Sequence, residues 1–124
     1  GDRFYIGMTP DFKAIAIYPQ HEWELYYCSL LELAEKDMRM ERVINLFSKY
    51  TYDDCECDAQ GRVLLPQKLR ARFLQDAKDV EVSGAGTHIR VMRNEDAQSE
   101  EEAFEAEIPD VLAFEAEIAA RKNN

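Results

Sequence analysis

The sequence predicts an α+β chain: two strand-rich segments separated by a pair of helices, with an acidic helical tail behind. Three observations predict it. Short apolar runs bounded by Gly, Pro and Asp fall near residues 3–18 and 52–92. Between them, apolar residues recur at helical spacing. The two strand-rich stretches can also be laid over one another. At 124 residues, 46% hydrophobic, the chain suffices for one compact domain with a real core.

Residues 3–8 read as a strand, and Thr9 to Phe12 (Thr-Pro-Asp-Phe) as a turn. Ala14 to Tyr18 reads as a second strand, ended by Pro19. A helix is expected from about Gln20 to Lys36, with Trp23, Tyr27, Leu30, Leu31 and Ala34 as its apolar positions. A second runs from about Met38 to Tyr50, with Val43, Leu46, Phe47 and Tyr50 as its stripe. Strands are expected at Tyr52 to Cys57, Val63 to Leu65, Val80 to Val82 and His88 to Met92, with a glycine turn at Ser83 to Gly86.

The internal repeat superposes residues 4–23 on 80–97, matching Ile6 to Val82, Ile15 to Ile89 and Ile17 to Val91. The first copy has a loop two residues longer. The second copy is preceded by a strand–turn–strand–helix segment, 52–79, with no counterpart ahead of the first. The repeat therefore predicts that some 25–30 residues of a first module lie upstream of this sequence. Gly1 in place of Met reads as a processed or engineered start. With its first half absent, residues 4–18 are expected to stay unpaired or to borrow strands in a domain-swapped arrangement.

Charge is unevenly placed. The net charge is −10, but residues 95–124 hold ten acidic and two basic residues, while 58–93 hold seven basic against four acidic. An overall negative charge argues against a nucleic-acid partner, whereas the basic module restores that reading. No apolar run is long enough to cross a bilayer, and no signal peptide is expected. Within the tail, Ala103 to Ile108 (AFEAEI) recurs as Ala113 to Ile118. A spacing of ten does not sustain a heptad seam, and Pro109 is expected to divide the copies into two short helices. Such a segment either packs weakly or binds a protein partner.

The odd count of three cysteines (Cys28, Cys55, Cys57) fits small apolar core residues in a reduced cytosolic protein. Cys55 and Cys57 with Cys28 and a His would be the zinc alternative, and no metal or other cofactor is expected. His21 and His88 are isolated in sequence. Ser83 to Gly86 lacks the Lys-Ser/Thr and helix of a phosphate-binding loop. With no catalytic constellation, the chain is not expected to be an enzyme.

The densest signal lies at Asp58 to Arg70. Asp58 can hydrogen-bond back onto a tight turn, and Gly61 supplies a left-handed position. Pro66 suits the first turn of a helix carrying Leu69, Phe73 and Leu74 on one side and Lys68, Arg70 and Arg72 around the rest. The turn then presents Arg62 beside a basic helix, an arrangement suited to gripping nucleic acid.

Asp58-x-x-Gly61-Arg62 followed by Leu64, Pro66 and Leu69-Arg70 resembles the signature of the MraZ family. Tyr18-Pro19-x-x-Glu22-Trp23 resembles that family's junction, and the hairpin at Val82 to Met92 the end of its second module. The likeness covers about residues 3–97. It implies AbrB-like swapped-hairpin half-barrels in tandem: 1–19 the remainder of a first module, 20–50 connecting helices, 51–94 a second module, 95–124 an added tail. It also implies a cytoplasmic, nucleoid-associated regulator. Such a protein binds double-stranded promoter DNA upstream of a bacterial cell-division and cell-wall operon, as a ring-like homo-oligomer. The matching DNA-binding positions are Asp58, Gln60, Gly61 and Arg62, with Lys68 and Arg70 adding phosphate contacts. Many members carry Lys where this chain has Gln60. The rival readings are a MazE-type antitoxin whose acidic tail wraps a toxin, and an assembly protein that binds no DNA.

Overall fold

The computed structural model describes residues 3–122; Gly1 lies outside them. The elements run β1 (Phe4–Met8), β2 (Ile15–Pro19), α1 (Gln20–Lys36), α2 (Met40–Tyr50), β3 (Tyr52–Cys55), α3 (Gln67–Leu69, running into a π-helical turn at Arg70–Leu74), β4 (Val80–Gly84), β5 (Ile89–Arg93) and α4 (Asn94–Lys122). Residues 1–93 form one unit and 94–124 another. The α+β class holds.

All five strands join one antiparallel sheet in the order β3-β1-β2-β5-β4. The first hairpin is therefore not left open: β1 pairs with β3 and β2 with β5, within this chain. The sheet carries the sequence repeat as a local two-fold relation. Ile6 faces Ile17 as Val82 faces Val91, and across the join Ile15 faces Val91 while Ile17 faces Ile89. The loops differ as the repeat indicates, Met8 facing Ile15 and Gly84 facing Ile89. The symmetry fails at one place. β3 covers the outer side of β1 and forms one edge of the sheet, whereas nothing covers β4, which forms the other edge and is exposed at all five residues.

Residues opposite one another in a ladder share a face. Tyr5 and Tyr18 thus lie on one face, where Trp23 of α1 stacks on Tyr5 at 5.7 Å and meets Tyr18 at a tilt at 5.2 Å. Tyr26 and Phe47 extend this aromatic cluster. Gly7 allows a close approach here: a Cβ would come within 3.2 Å of the Thr51 hydroxyl at the end of α2, which would have to give by a few tenths of an ångström. Ile6, Met8 and Ile15 point the other way and are fully buried. Segment 63–74 supplies their cover, with Val63, Leu65, Leu69 and Leu74 in the same core. Beyond that cover the face opens into a cleft of about 570 Å³, lined by Phe4, Ile17, Pro19, Val63 and Ile89 among others.

Several local expectations need correction. Val63 to Leu65 is extended but makes no strand: Leu64 is 85% exposed while its neighbours are half-buried, and no ladder partner lies alongside. β3 ends at Cys55 rather than Cys57. α2 starts at Met40, because the Asp37 carboxylate accepts the Arg39 N–H and holds residues 37–39 in a turn. Leu31 is exposed, and α1 buries Trp23 and Leu30. β5 begins at Ile89, and the His88 ring lies tilted against Tyr18 at 5.0 Å. Cys28 and Cys57 are exposed rather than in the core, whereas Cys55 is half-buried and packs against it.

The largest correction concerns the tail. α4 runs unbroken from Asn94 to Lys122 with Pro109 inside it. The proline removes one backbone donor, and residues around it are exposed, so water can satisfy the carbonyl left behind. The flanking Ala, Glu and Leu are strong helix formers, and pairs such as Arg121 to Glu117 at 2.8 Å brace the helix four residues apart.

Candidate nucleic-acid interface

The turn after β3 is built by one carboxylate. Asp58 Oδ1 accepts the N–H groups of Gln60 (2.9 Å) and Arg62 (2.8 Å). The backbone closes the loop from both ends, Asp58 N–H donating to the Arg62 carbonyl at 2.9 Å and Gly61 N–H to the Asp58 carbonyl at 3.0 Å. Gly61 sits at φ +80°, a conformation that a side chain would strain. The second oxygen of Asp58 accepts Arg62 Nε at 2.7 Å. Hydrogen bonds from the Arg62 backbone and side chain hold the Asp58 carboxyl below the ordinary carboxylate range.

The consequence is a steered arginine. One edge of the guanidinium is clamped by Asp58, yet the Arg62 side chain remains 73% exposed. A planar guanidinium held by Nε keeps its outer pair of donors in a fork, the geometry that suits phosphate or the O6/N7 edge of guanine. Gln60 and Gly61 lie exposed on the same turn.

The helix that follows behaves differently. Lys68 Nζ donates to the Lys49 carbonyl at 3.2 Å and lies 4.6 Å from the Tyr50 ring centre. Arg72 donates to the Tyr50 hydroxyl at 3.1 Å and lies over the same ring at 4.8 Å. Arg70 Nε donates to the Leu65 carbonyl at 2.9 Å. All three cations remain exposed, but Lys68 and Arg72 seat 63–74 against the end of α2, and Arg70 braces that segment internally. A cation–aromatic pair between elements far apart in sequence has no local signature, so the sequence showed the charges and not their engagement. The sequence reading also missed Tyr50 as the residue on which Lys68 and Arg72 meet.

Residues 51–107 match a family model described as "MraZ protein, putative antitoxin-like". Among curated proteins, the chain is similar to the Transcriptional regulator MraZ of Desulforamulus reducens, 32% identical over 96 residues, covering 77% of this chain and 66% of the relative. It is similar to that of Acidobacterium capsulatum, 35% identical over 95 residues, covering 77% and 63%. It also resembles that of a Shewanella species, 39% identical over 68 residues, covering 55% and 44%. The chain thus spans less than two thirds of the length of each of these relatives. No solved structure matches it. A family-model match over the signature turn, together with relatives that extend the likeness across three quarters of the chain, shows that this chain belongs to the MraZ family.

Proposed function

We propose that the chain acts in a DNA-binding transcriptional regulator and reads double-stranded promoter DNA through the Asp58–Arg62 turn. The observation that carries this is the clamped, outward-facing Arg62. The name shared by the relatives supports it. In this reading Asp58 positions, Arg62 contacts a phosphate or a base edge, and Gln60 and Gly61 let the backbone approach closely. Lys68 and Arg70 supply attraction at longer range, because both are held by backbone carbonyls. Residues 51–94 then form the reading module, 20–50 the connecting helices and 95–124 an appended tail. The target is a bacterial cell-division and cell-wall operon, and the working form a cytoplasmic, nucleoid-associated, ring-like homo-oligomer with AbrB-like hairpins interleaved between copies. The open β4 edge supports the oligomer: Val82 is 61% exposed on a strand with unpaired backbone groups, a surface that a second copy would cover.

The test is anisotropy of labelled promoter DNA titrated with the chain at low and moderate salt. Salt-sensitive binding is expected, weakened by Arg62→Ala by about 10- to 100-fold, the range for losing one bidentate contact. A folded chain that shows no salt-sensitive binding, or binding indifferent to Arg62→Ala, overturns the proposal. The family description favours a second reading, an antitoxin whose acidic tail binds a toxin. That reading predicts rescue of cells from a toxin encoded beside the gene, with Arg62 dispensable.

A further inference from the structure

The continuity of α4 changes what its sequence can do. A ten-residue repeat makes no seam when broken at Pro109. One helix from Asn94 to Lys122 has a different register, about 43 Å long at 1.5 Å per residue. Along it, residues 101, 104, 108, 111, 115 and 118 fall at alternating spacings of three and four, the spacing of a coiled-coil seam. Phe104, Val111 and Ile118 take one set of seam positions. Glu101, Ile108 and Glu115 take the other. Leu112 and Phe114 flank the seam on its two sides, and each is 58% exposed. Phe104 is 51% exposed. The seam is thus apolar, open, and interrupted by carboxylates fourteen residues apart.

Those two carboxylates decide what can cover it. A parallel second copy in register sets Glu101 on Glu101 and Glu115 on Glu115, like charges in an apolar seam. An antiparallel copy layers one seam set on the other, so Glu101 meets Ile118 and Glu115 meets Phe104, burying each carboxylate without a cation. Both arrangements also bring together two tails that each carry ten acidic and two basic residues. An anionic lipid surface is disfavoured by the same charge. We propose that α4 is a docking helix for another protein's amphipathic helix. That partner presents Lys or Arg at two positions fourteen residues apart, with apolar residues at the seam positions between and beside them. The apolar contacts supply affinity and the two ion pairs set the register.

The test uses the full chain and a labelled synthetic helical peptide of this pattern, with Leu at the seam positions and Lys at the two sites. A scrambled peptide of the same composition is the control, and circular dichroism follows the helix content of each variant. Saturable binding of the patterned peptide is expected, at least about tenfold tighter than the scrambled one. The double variant Glu101→Lys, Glu115→Lys should lose about tenfold, and a peptide with Glu at the two sites should restore its binding. Equal binding of both peptides, absence of saturable binding, or failure of the charge swap overturns the proposal. So does a sedimentation mass without peptide that drops when Phe104 and Val111 are changed to Ser, which would assign the seam to a second copy.

Discussion

Two loops among the described residues are each organised around an aspartate that meets an arginine, Thr9–Ala14 and Asp58–Arg62, and they have opposite characters. At Thr9–Ala14 the Thr9 hydroxyl donates to Asp11 at 2.5 Å and accepts the N–H groups of Lys13 and Ala14 at 3.2 and 3.1 Å. This holds Phe12 at φ +62°, with its ring 5.0 Å from Phe47. Asp11 lies 3.7 Å from Arg90, which is only 19% exposed. At Asp58–Arg62 the same economy of one side chain organising a loop is used on the surface, and the arginine is 73% exposed. The first turn spends its polar groups on closing the core. The second holds a charge out of it. An Asp–Arg pair is thus uninformative until its surroundings are known. The half-buried Arg90 ties its loop to the sheet, whereas the clamped Arg62 keeps its outer donors exposed; Arg39, held by Asp37 and 90% exposed, shows that exposure alone does not separate the two.

The sharpest test of that contrast is Thr9→Val, which keeps the shape and removes the hydroxyl. Thr9 is 1% exposed, so the buried Ala14 N–H loses its acceptor in a dry site, while the Lys13 N–H keeps the Asp11 carboxylate at 3.1 Å. Unfolding in urea should show a loss of about 2–3 kcal/mol. DNA binding by the fraction that stays folded should be unchanged. A larger effect on DNA binding than on stability would break the comparison.

Asp58→Ala should do the reverse, leaving the urea midpoint nearly in place and weakening DNA binding about tenfold by freeing Arg62. Combined with Arg62→Ala it should add nothing, since both changes remove one steered contact. Additive losses in that cycle would separate Asp58 from the arginine it clamps.

Acid should distinguish the turns more gently. Burial raises the Asp11 carboxyl, but hydrogen bonds from Thr9 and the Lys13 N–H, with Arg90 nearby, outweigh it and leave it below its ordinary 3.8. A lowered carboxyl stabilises the fold above its unfolded value, and that stabilisation is lost as pH falls through the lower folded value. Carboxyl resonances of Asp11 and Asp58 should both titrate below 3.8 by NMR. Acid should loosen the first turn's contact with Arg90 as Asp11 titrates. The smallest effect belongs to His88. Burial and Arg90 lower it from 6.5, partly offset by Asp11, with Tyr18 tilted against its ring and Thr87 bonded to it. Its neutral form is favoured in the fold, so stability should decline slightly as pH drops below 6.5, and His88→Phe should flatten that slope.

Much of the local structure was legible in the residues. Pro19 ends β2 and α1 runs from Gln20 to Lys36, as the apolar spacing indicates, because both signals are local. The repeat anticipated the paired hairpins, since its matched positions become equivalent partners in the ladders. The Asp58 turn was legible because a carboxylate, a glycine and an arginine within five residues close on one another without help from the rest of the chain. The π-helical turn at Arg70–Leu74 and the seating of Lys68 and Arg72 on Tyr50 were not, because they answer to packing against α2. Nor was the burial of the first hairpin, whose edges are closed by β3 and β5, strands that come tens of residues later in the sequence. The exposure of Cys28 and Cys57 was hidden for the same reason.

By itself the sequence determined the strand and helix periods outside the tail, the break at Pro19, the acidity of the tail and the self-contained Asp58–Arg62 turn. All of these follow from interactions a few residues long. Tertiary structure alone decided which hairpin edges meet, which arginine is half-buried and which is held outward. It also decided which strand remains an open edge. These outcomes depend on surfaces brought together from distant parts of the chain, whose free energy no short window of residues contains.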